Sequence, residues 1–160
     1  MKVAVHAVGR MKAGPERELA DRYWDRFAKT GPGLGLDFAG VTETPESRGQ
    51  SADERRRDEA QKLLGAIGDG AVLVLLDEAG RNLGSQDIAT RIAAYRDAGR
   101  RSLIIAIGGP DGHDAALIHR ADLVLSFGAA TWPHQLVRVM LAEQLYRMAT
   151  ILSGHPYHRA

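Results

Sequence analysis

Leu103-Ile-Ile-Ala-Ile107, followed at once by Gly108-Gly-Pro-Asp-Gly112, is the stretch whose reading decides the fold. Five apolar residues without alternation read as a strand covered on both faces, the kind found inside parallel sheets. The glycine-rich turn then sits at the carboxyl end of that strand, where ligands of parallel sheets bind. Upstream, Ala71–Leu76 is a second run of the same type, ended by Asp77-Glu-Ala-Gly80. Between the two runs, Ile88, Ile92 and Tyr95 mark a helix that begins after Ser85 and stops at Gly99. Downstream, a short helix over Asp114–Ala121 leads to a strand at Asp122–Ser126. A long helix opens with Pro133 as its first residue and runs to about Leu152, where Gly154 and Pro156 release a polar tail.

The amino-terminal half repeats the alternation. Val3-Ala-Val-His-Ala-Val8 reads as a strand, and Pro15 opens a helix with the stripe Leu19, Tyr23 and Phe27, stopped by Gly31-Pro-Gly33. Leu34–Val41 reads as a weaker second strand. Ser51-Ala-Asp-Glu54 fits a capping box at the head of a charged helix over Asp53–Lys62. The resulting order, βαβαβαβαβα, predicts an α/β fold: a mostly parallel sheet with helices on both faces, in a single domain over residues 1–160.

Composition excludes several classes. With 44% hydrophobic and 26% charged residues, the 160-residue chain is an ordinary globular sequence rather than a disordered one. Lys+Arg 21 against Asp+Glu 20 leaves a formal +1, which argues against a basic-tail nucleic-acid binder but not against a local patch facing phosphate. The absence of Cys removes disulfide scaffolds, Cys-ligated zinc, iron–sulfur centres and thiol nucleophiles. The longest apolar run, Ala71–Leu76, is far short of the roughly 20 residues of a membrane span. His6, Gly9 and Arg10 interrupt any leader-like core, so a cytoplasmic protein is expected.

Three turns, at Leu76–Gly80, Gly108–Gly112 and Phe127–Pro133, are expected on one edge of the sheet. Glycine lets a ligand approach the backbone closely, and free N–H and C=O groups can read the edge of a purine. Gly108 and Gly109 are the leading positions, with a plain strand-to-helix turn as the other reading. Neither G-x-x-x-x-G-K-[ST] nor a G-x-G-x-x-G after the first strand is present, which favours a ligand carrying adenine without phosphates.

From Leu136 to Leu152 apolar residues surround the helix, so it packs on the sheet on one side and, in our reading, on a second copy in a C2 homodimer, with Met140 and Leu145 as interface positions. Arg138 on that helix requires an anion: either a salt bridge or a phosphate or ligand. Arg147 has Glu143 at i−4. The Arg55-Arg56-Arg57 triplet is either a solvated face or an RNA contact, and His134 either packs or touches ligand. His155 and His158 have H-x-x-H spacing on a Pro-broken tail without further ligands, so no metal is assigned; His158 is a candidate proton acceptor.

Val5-His-Ala-Val-Gly9, Ile107-Gly-Gly-Pro-Asp-Gly112, Trp132-Pro-His-Gln-Leu-Val-Arg-Val-Met-Leu-Ala-Glu-Gln-Leu-Tyr-Arg147 and Pro156-Tyr-His-Arg159, in this order and spacing, resemble the ribosomal RNA large-subunit methyltransferase H family, a small branch of the SPOUT methyltransferases. The resemblance spans almost the whole chain. It implies S-adenosyl-L-methionine as methyl donor, a carboxy-terminal trefoil knot and an obligate homodimer. It also implies methylation at N3 of pseudouridine 1915 in helix 69 of 23S rRNA, on the assembled 70S ribosome. Carried over by position, the cofactor contacts are Leu76, Gly108 and the run Phe127, Gly128, Ala129, Ala130, Thr131 and Trp132, with Gly109 beside them. Trp132 stands where the family has a smaller apolar residue or Phe. For the chemistry, His158 is the base-side residue, Arg138 and Arg159 hold phosphate or a developing anion, and Tyr157 lies beside them on a tail expected to complete the opposite subunit's site. Two other readings remain: a SPOUT-type enzyme acting on tRNA or another rRNA site, and a dimeric ribosome-binding protein without turnover.

Overall fold

In the computed structural model, which describes residues 1–158, the elements run β1 (Lys2–Val8), α1 (Pro15–Thr30), β2 (Asp37–Thr44), α2 (Ala52–Ala66), β3 (Val72–Asn82), α3 (Ser85–Asp97), β4 (Ser102–Ile107), α4 (Ala115–Arg120), β5 (Leu123–Ser126) and α5 (His134–Ser153). The strands lie in the order β2-β1-β4-β3-β5 and every pairing is parallel. This is the α/β architecture that the alternation predicts.

The two-residue period of a strand sends neighbouring side chains to opposite faces, which is why the uninterrupted apolar run at the start of β3 feeds two cores. Val72, Val74 and Leu76 join Trp24 and Phe27 of α1, Ile88 and Ile92 of α3, and Leu141, Leu145 and Met148 of α5. Leu73 and Leu75 meet Ala60 and Leu63 of α2 and Leu117 of α4 on the other face. Leu145, expected at a subunit interface, is instead fully buried in its own chain's core. Met140 is only partly buried, and Leu136, one turn earlier, is exposed. Among the described residues no helix is long and apolar enough to cross a membrane.

Two boundaries and one cap differ from expectation for local reasons. Gly31–Leu34 forms a 3-10 turn closed by Gly35 at φ +71°, so the strand expected over Leu34–Val41 begins later, at Asp37. Pro133 is extended, with ψ 139°, and serves as the N-cap rather than the first residue of α5. At α2, Ser51 accepts the Glu54 N–H as expected, but the Glu54 carboxylate takes the N–H of Gln50 instead of that of Ser51.

The largest difference is β3, which does not end at Leu76. Leu125 pairs with Leu76 and again with Arg81, so residues 77–80 loop out and the chain returns to the same strand. Gly80 makes this possible: a Cβ there would lie 2.5–2.9 Å from the backbone C, O and N of Leu125. Gly80→Ala is expected to push β5 off β3 at a cost of about 1–3 kcal/mol. Differential scanning calorimetry should show a lower midpoint, and an unchanged melt would mean that the strand shifts freely.

Candidate functional site

The carboxyl ends of β3, β4 and β5 open together on a cavity of about 390 Å³, a volume in the small-molecule range. Its walls are the three turns singled out in the sequence, and the first turn of α5 adds His134 and Val137. Within the middle turn, Gly112 donates to the Gly109 carbonyl at 3.0 Å, with Pro110 and Asp111 between them and Gly112 at φ +79°. The tight turn is present, a Pro-bearing β-turn whose backbone lines the cavity. A Cβ on Gly108 would sit 3.2 Å from the Gly112 carbonyl and the His113 ring. In the third turn the Ser126 hydroxyl both donates to the Gly128 carbonyl, at 2.9 Å, and accepts its N–H, at 3.1 Å.

The electrostatics lean negative. Asp77, Glu78 and Asp111 line the cavity, the Asp111 carboxylate already paired with Arg55 from outside the lining, and the one fixed cation among the described lining residues is Arg56, engaged by the Asp53 carboxylate and the Asp111 carbonyl. Such a lining favours a cationic ligand.

Two histidines, His113 in the cavity lining and His6 behind it, were not singled out as site residues from the sequence. His113 places Nε2 3.1 Å from the Leu76 carbonyl, and the His6 ring lies 3.2 Å from the Thr44 hydroxyl. Burial, the largest influence on each, holds both rings below the ordinary value of 6.5; for His6 the neighbouring His113 adds to it, while for His113 Asp77 and two backbone carbonyls oppose it. A depressed histidine stabilises the fold fully above about 6.5 and loses that contribution as pH falls. Melting midpoints are therefore expected to drop from about pH 7.5 toward 5.5, and His113→Gln should flatten the drop. An equal slope in parent and variant would remove His113 from this account.

A family model described as a predicted SPOUT methyltransferase matches residues 1–158. The chain belongs to the SPOUT methyltransferases. Its relatives include proteins named ribosomal RNA large subunit methyltransferase H from Mesorhizobium japonicum, 69% identical over the whole of both chains, and from Brucella anthropi, 65% identical over the whole of both. The protein of that name from Chelativorans sp. is 64% identical, covering 99% of this chain and 91% of the relative.

In this SPOUT methyltransferase the expected contact positions Leu76, Gly108, Gly109, Phe127, Gly128, Ala130, Thr131 and Trp132 all line the cavity. Ala129 does not; it is exposed beside it. Trp132 is 42% exposed, at the mouth rather than within a packed wall.

The proposed chemical residues are dispersed. Arg138 points away from the cavity into a separate cleft, only 5% exposed, where its guanidinium pairs with Glu43 and donates to the Gly9 carbonyl at 2.5 Å and the Val8 carbonyl at 3.4 Å. Its anion partner is therefore a side chain of its own fold, and the phosphate reading is withdrawn. Tyr157 donates to Glu143 at 3.1 Å, 3.3 Å from the Tyr23 hydroxyl and beneath the Arg147 guanidinium, which pairs with Glu143 as expected. Burial, then Tyr23 and Glu143, pushes the Tyr157 phenol far up, so it remains a donor. His158 carries a buried Nδ1 without a hydrogen-bond partner among the described residues. Arg159 lies outside the described residues. None of residues 154–158 lines the cavity of its own chain.

Proposed function

We propose that this protein transfers a methyl group from S-adenosyl-L-methionine to large-subunit ribosomal RNA, at N3 of a pseudouridine in helix 69 of 23S rRNA, on the assembled 70S ribosome. It does so as a cytoplasmic homodimer, with the knotted carboxy-terminal crossing of its family. The observation that carries this reading is the convergence of three glycine-bearing strand-end turns on one acid-lined cavity, in a chain whose full length matches relatives named for large-subunit rRNA methylation.

The residues present fit the cofactor. The glycines of the middle turn leave its backbone bare toward the cavity, and Asp77 and Glu78 suit a ligand bearing a sulfonium and an ammonium group. Leu76, Gly108, Gly109 and Phe127 with Gly128, Ala130, Thr131 and Trp132 would hold it. When bound, it supplies an already activated methyl group, so no side-chain nucleophile is needed. The remaining task is to orient the acceptor ring and remove the N3 proton. His158 has the unpaired ring nitrogen for the second role; Tyr157, held neutral, supports it as a donor and stacking surface, with Arg159 for phosphate.

Dimerisation is supported by α5, where Leu136 is exposed and Met140, at i+4, is only partly buried within one chain. Tritium transfer from labelled S-adenosylmethionine tests the whole reading. Counts in 70S ribosomes at the helix-69 pseudouridine are expected. Counts in bulk tRNA alone, or none despite ribosome binding, would replace it.

A further inference from the structure

The Arg55-Arg56-Arg57 triplet divides its work in a way that its composition hides. Arg57 is exposed and donates to the Asp53 carbonyl along its own helix. Arg55 instead crosses to the middle turn, where its Nε meets Asp111 Oδ2 at 2.6 Å and its Nη2 meets Asp111 Oδ1 at 3.0 Å. The third nitrogen, Nη1, donates to the Gly49 carbonyl at 3.1 Å, which fixes the guanidinium in one plane. A two-bond fork of this kind sets direction as well as distance.

Asp111 is a central residue of the β-turn whose flanking glycines face the cavity, so its side chain is a handle on the backbone that lines the site. The same turn is held at two more points by α2. Arg56 donates to the Asp111 carbonyl at 3.2 Å, and the buried Glu59, which accepts the Ser47 N–H at 2.9 Å, lies so close to Gly109 that a Cβ there would be 2.7 Å from its carboxylate. Helix α2 thus grips the turn from outside and from beneath. Both members of the pair are only a quarter to a third exposed, so the fork is shielded from competing water.

We infer that Arg55 is a positioning residue for the cofactor, holding the Gly108–Gly112 turn in its binding geometry through the bidentate bond to Asp111, and that it is not an RNA-docking cation. The inference rests on the reading of the cavity as the S-adenosylmethionine site. A turn released from its latch must be ordered again on binding, and that cost appears in affinity for the ligand.

Isothermal titration of the full-length protein with S-adenosylmethionine tests it, alongside cosedimentation with 70S ribosomes. Arg55→Ala and Asp111→Asn are each expected to weaken the cofactor about tenfold, and the double variant no more than either single, as for residues acting through one contact. Arg55→Lys, which keeps the charge but loses the fork, should fall between, and it serves if the alanine variant does not fold. KM for the cofactor should rise by the same factor with kcat within about twofold, because the latch does not touch the reacting atoms. Ribosome binding should be unchanged. Full cofactor affinity in Arg55→Ala and Arg55→Lys, or a lysine variant equal to the parent with ribosome binding lost in the alanine one, would overturn the latch. Gly108→Val is the control for the cavity: if it binds the cofactor normally, the cavity reading fails and the latch with it.

Discussion

Deleting residues 154–160 is expected to lower methyl transfer by about 10²- to 10⁴-fold, the usual worth of proton handling at a reacting centre, while S-adenosylmethionine affinity stays near that of the parent. None of the described tail residues 154–158 lines the cavity of its own chain. Helix α5 starts at the cavity with His134 and has 20 residues, so its far end lies roughly 30 Å away. The tail leaves from that far end after Gly154, at φ +69°, and its Tyr157 is tied to Glu143 and Tyr23. If two α5 helices pair antiparallel in the proposed homodimer, the tail of one chain would be carried toward the cavity of the other. Mixing the deletion variant with Gly108→Val therefore gives a direct reading. If subunits exchange, a shared site restores one complete pocket per heterodimer, from the cavity of the shortened chain and the tail of the other. Heterodimers seen by mass spectrometry with no activity above either parent would refute the shared site.

Arg138→Met carries the second large effect, on stability. The guanidinium it removes is nearly inaccessible and joins α5 to the ends of β1 and β2 through Glu43, Val8 and Gly9. Breaking the pair removes the charge-assisted bonds of a buried guanidinium to Glu43 and to the Val8 and Gly9 carbonyls, a loss of about 3 kcal/mol, to be read from urea midpoints. Adding Glu43→Gln should recover part of it, since the stranded charge is then gone. Burial, the largest single influence on Glu43, raises its carboxyl, but the Met11 N–H and Arg138 together outweigh that and hold it below the ordinary 4.5. The contribution is thus complete above about 4.5 and fades as pH falls further, so the parent and the double variant should converge in acid. A stable Arg138→Met protein that lost only methyl transfer would return Arg138 to the reacting centre.

These two cases mark what was legible in the sequence. The doubly buried strands were plain because Val72–Leu76 and Leu103–Ile107 cannot alternate when helices cover both faces, and the cavity followed because turns at the ends of adjacent parallel strands converge. Arg138 was equally visible as a charge needing an anion, but its partner Glu43 lies 95 residues away in the chain, a pairing no local pattern encodes. Residues 77–80 looked like the end of a strand because Gly80 is a common stop signal; its function as the gap through which Leu125 is met twice depends on a strand not yet made at that point in the chain. His6 and His113 escaped notice because isolated histidines carry no periodicity, although His113 directly follows the glycine turn.

The pairing that joins α5 to β1 also bears on how quickly the molecule can assemble. Val3 pairs with Leu103, and Arg138 closes on Gly9 across 129 residues of chain. Folding dominated by such distant partners is slow, because the loops must close before the contacts that favour closure exist. In a chain emerging amino-terminus first, Trp24 and Phe27 meet Phe38 early, but the core they share with Leu141, Leu145 and Met148 stays open until the last helix is complete. The interval before that helix docks is when this protein is most exposed to aggregation, and dilute, slow refolding should recover more active material than rapid refolding at high concentration.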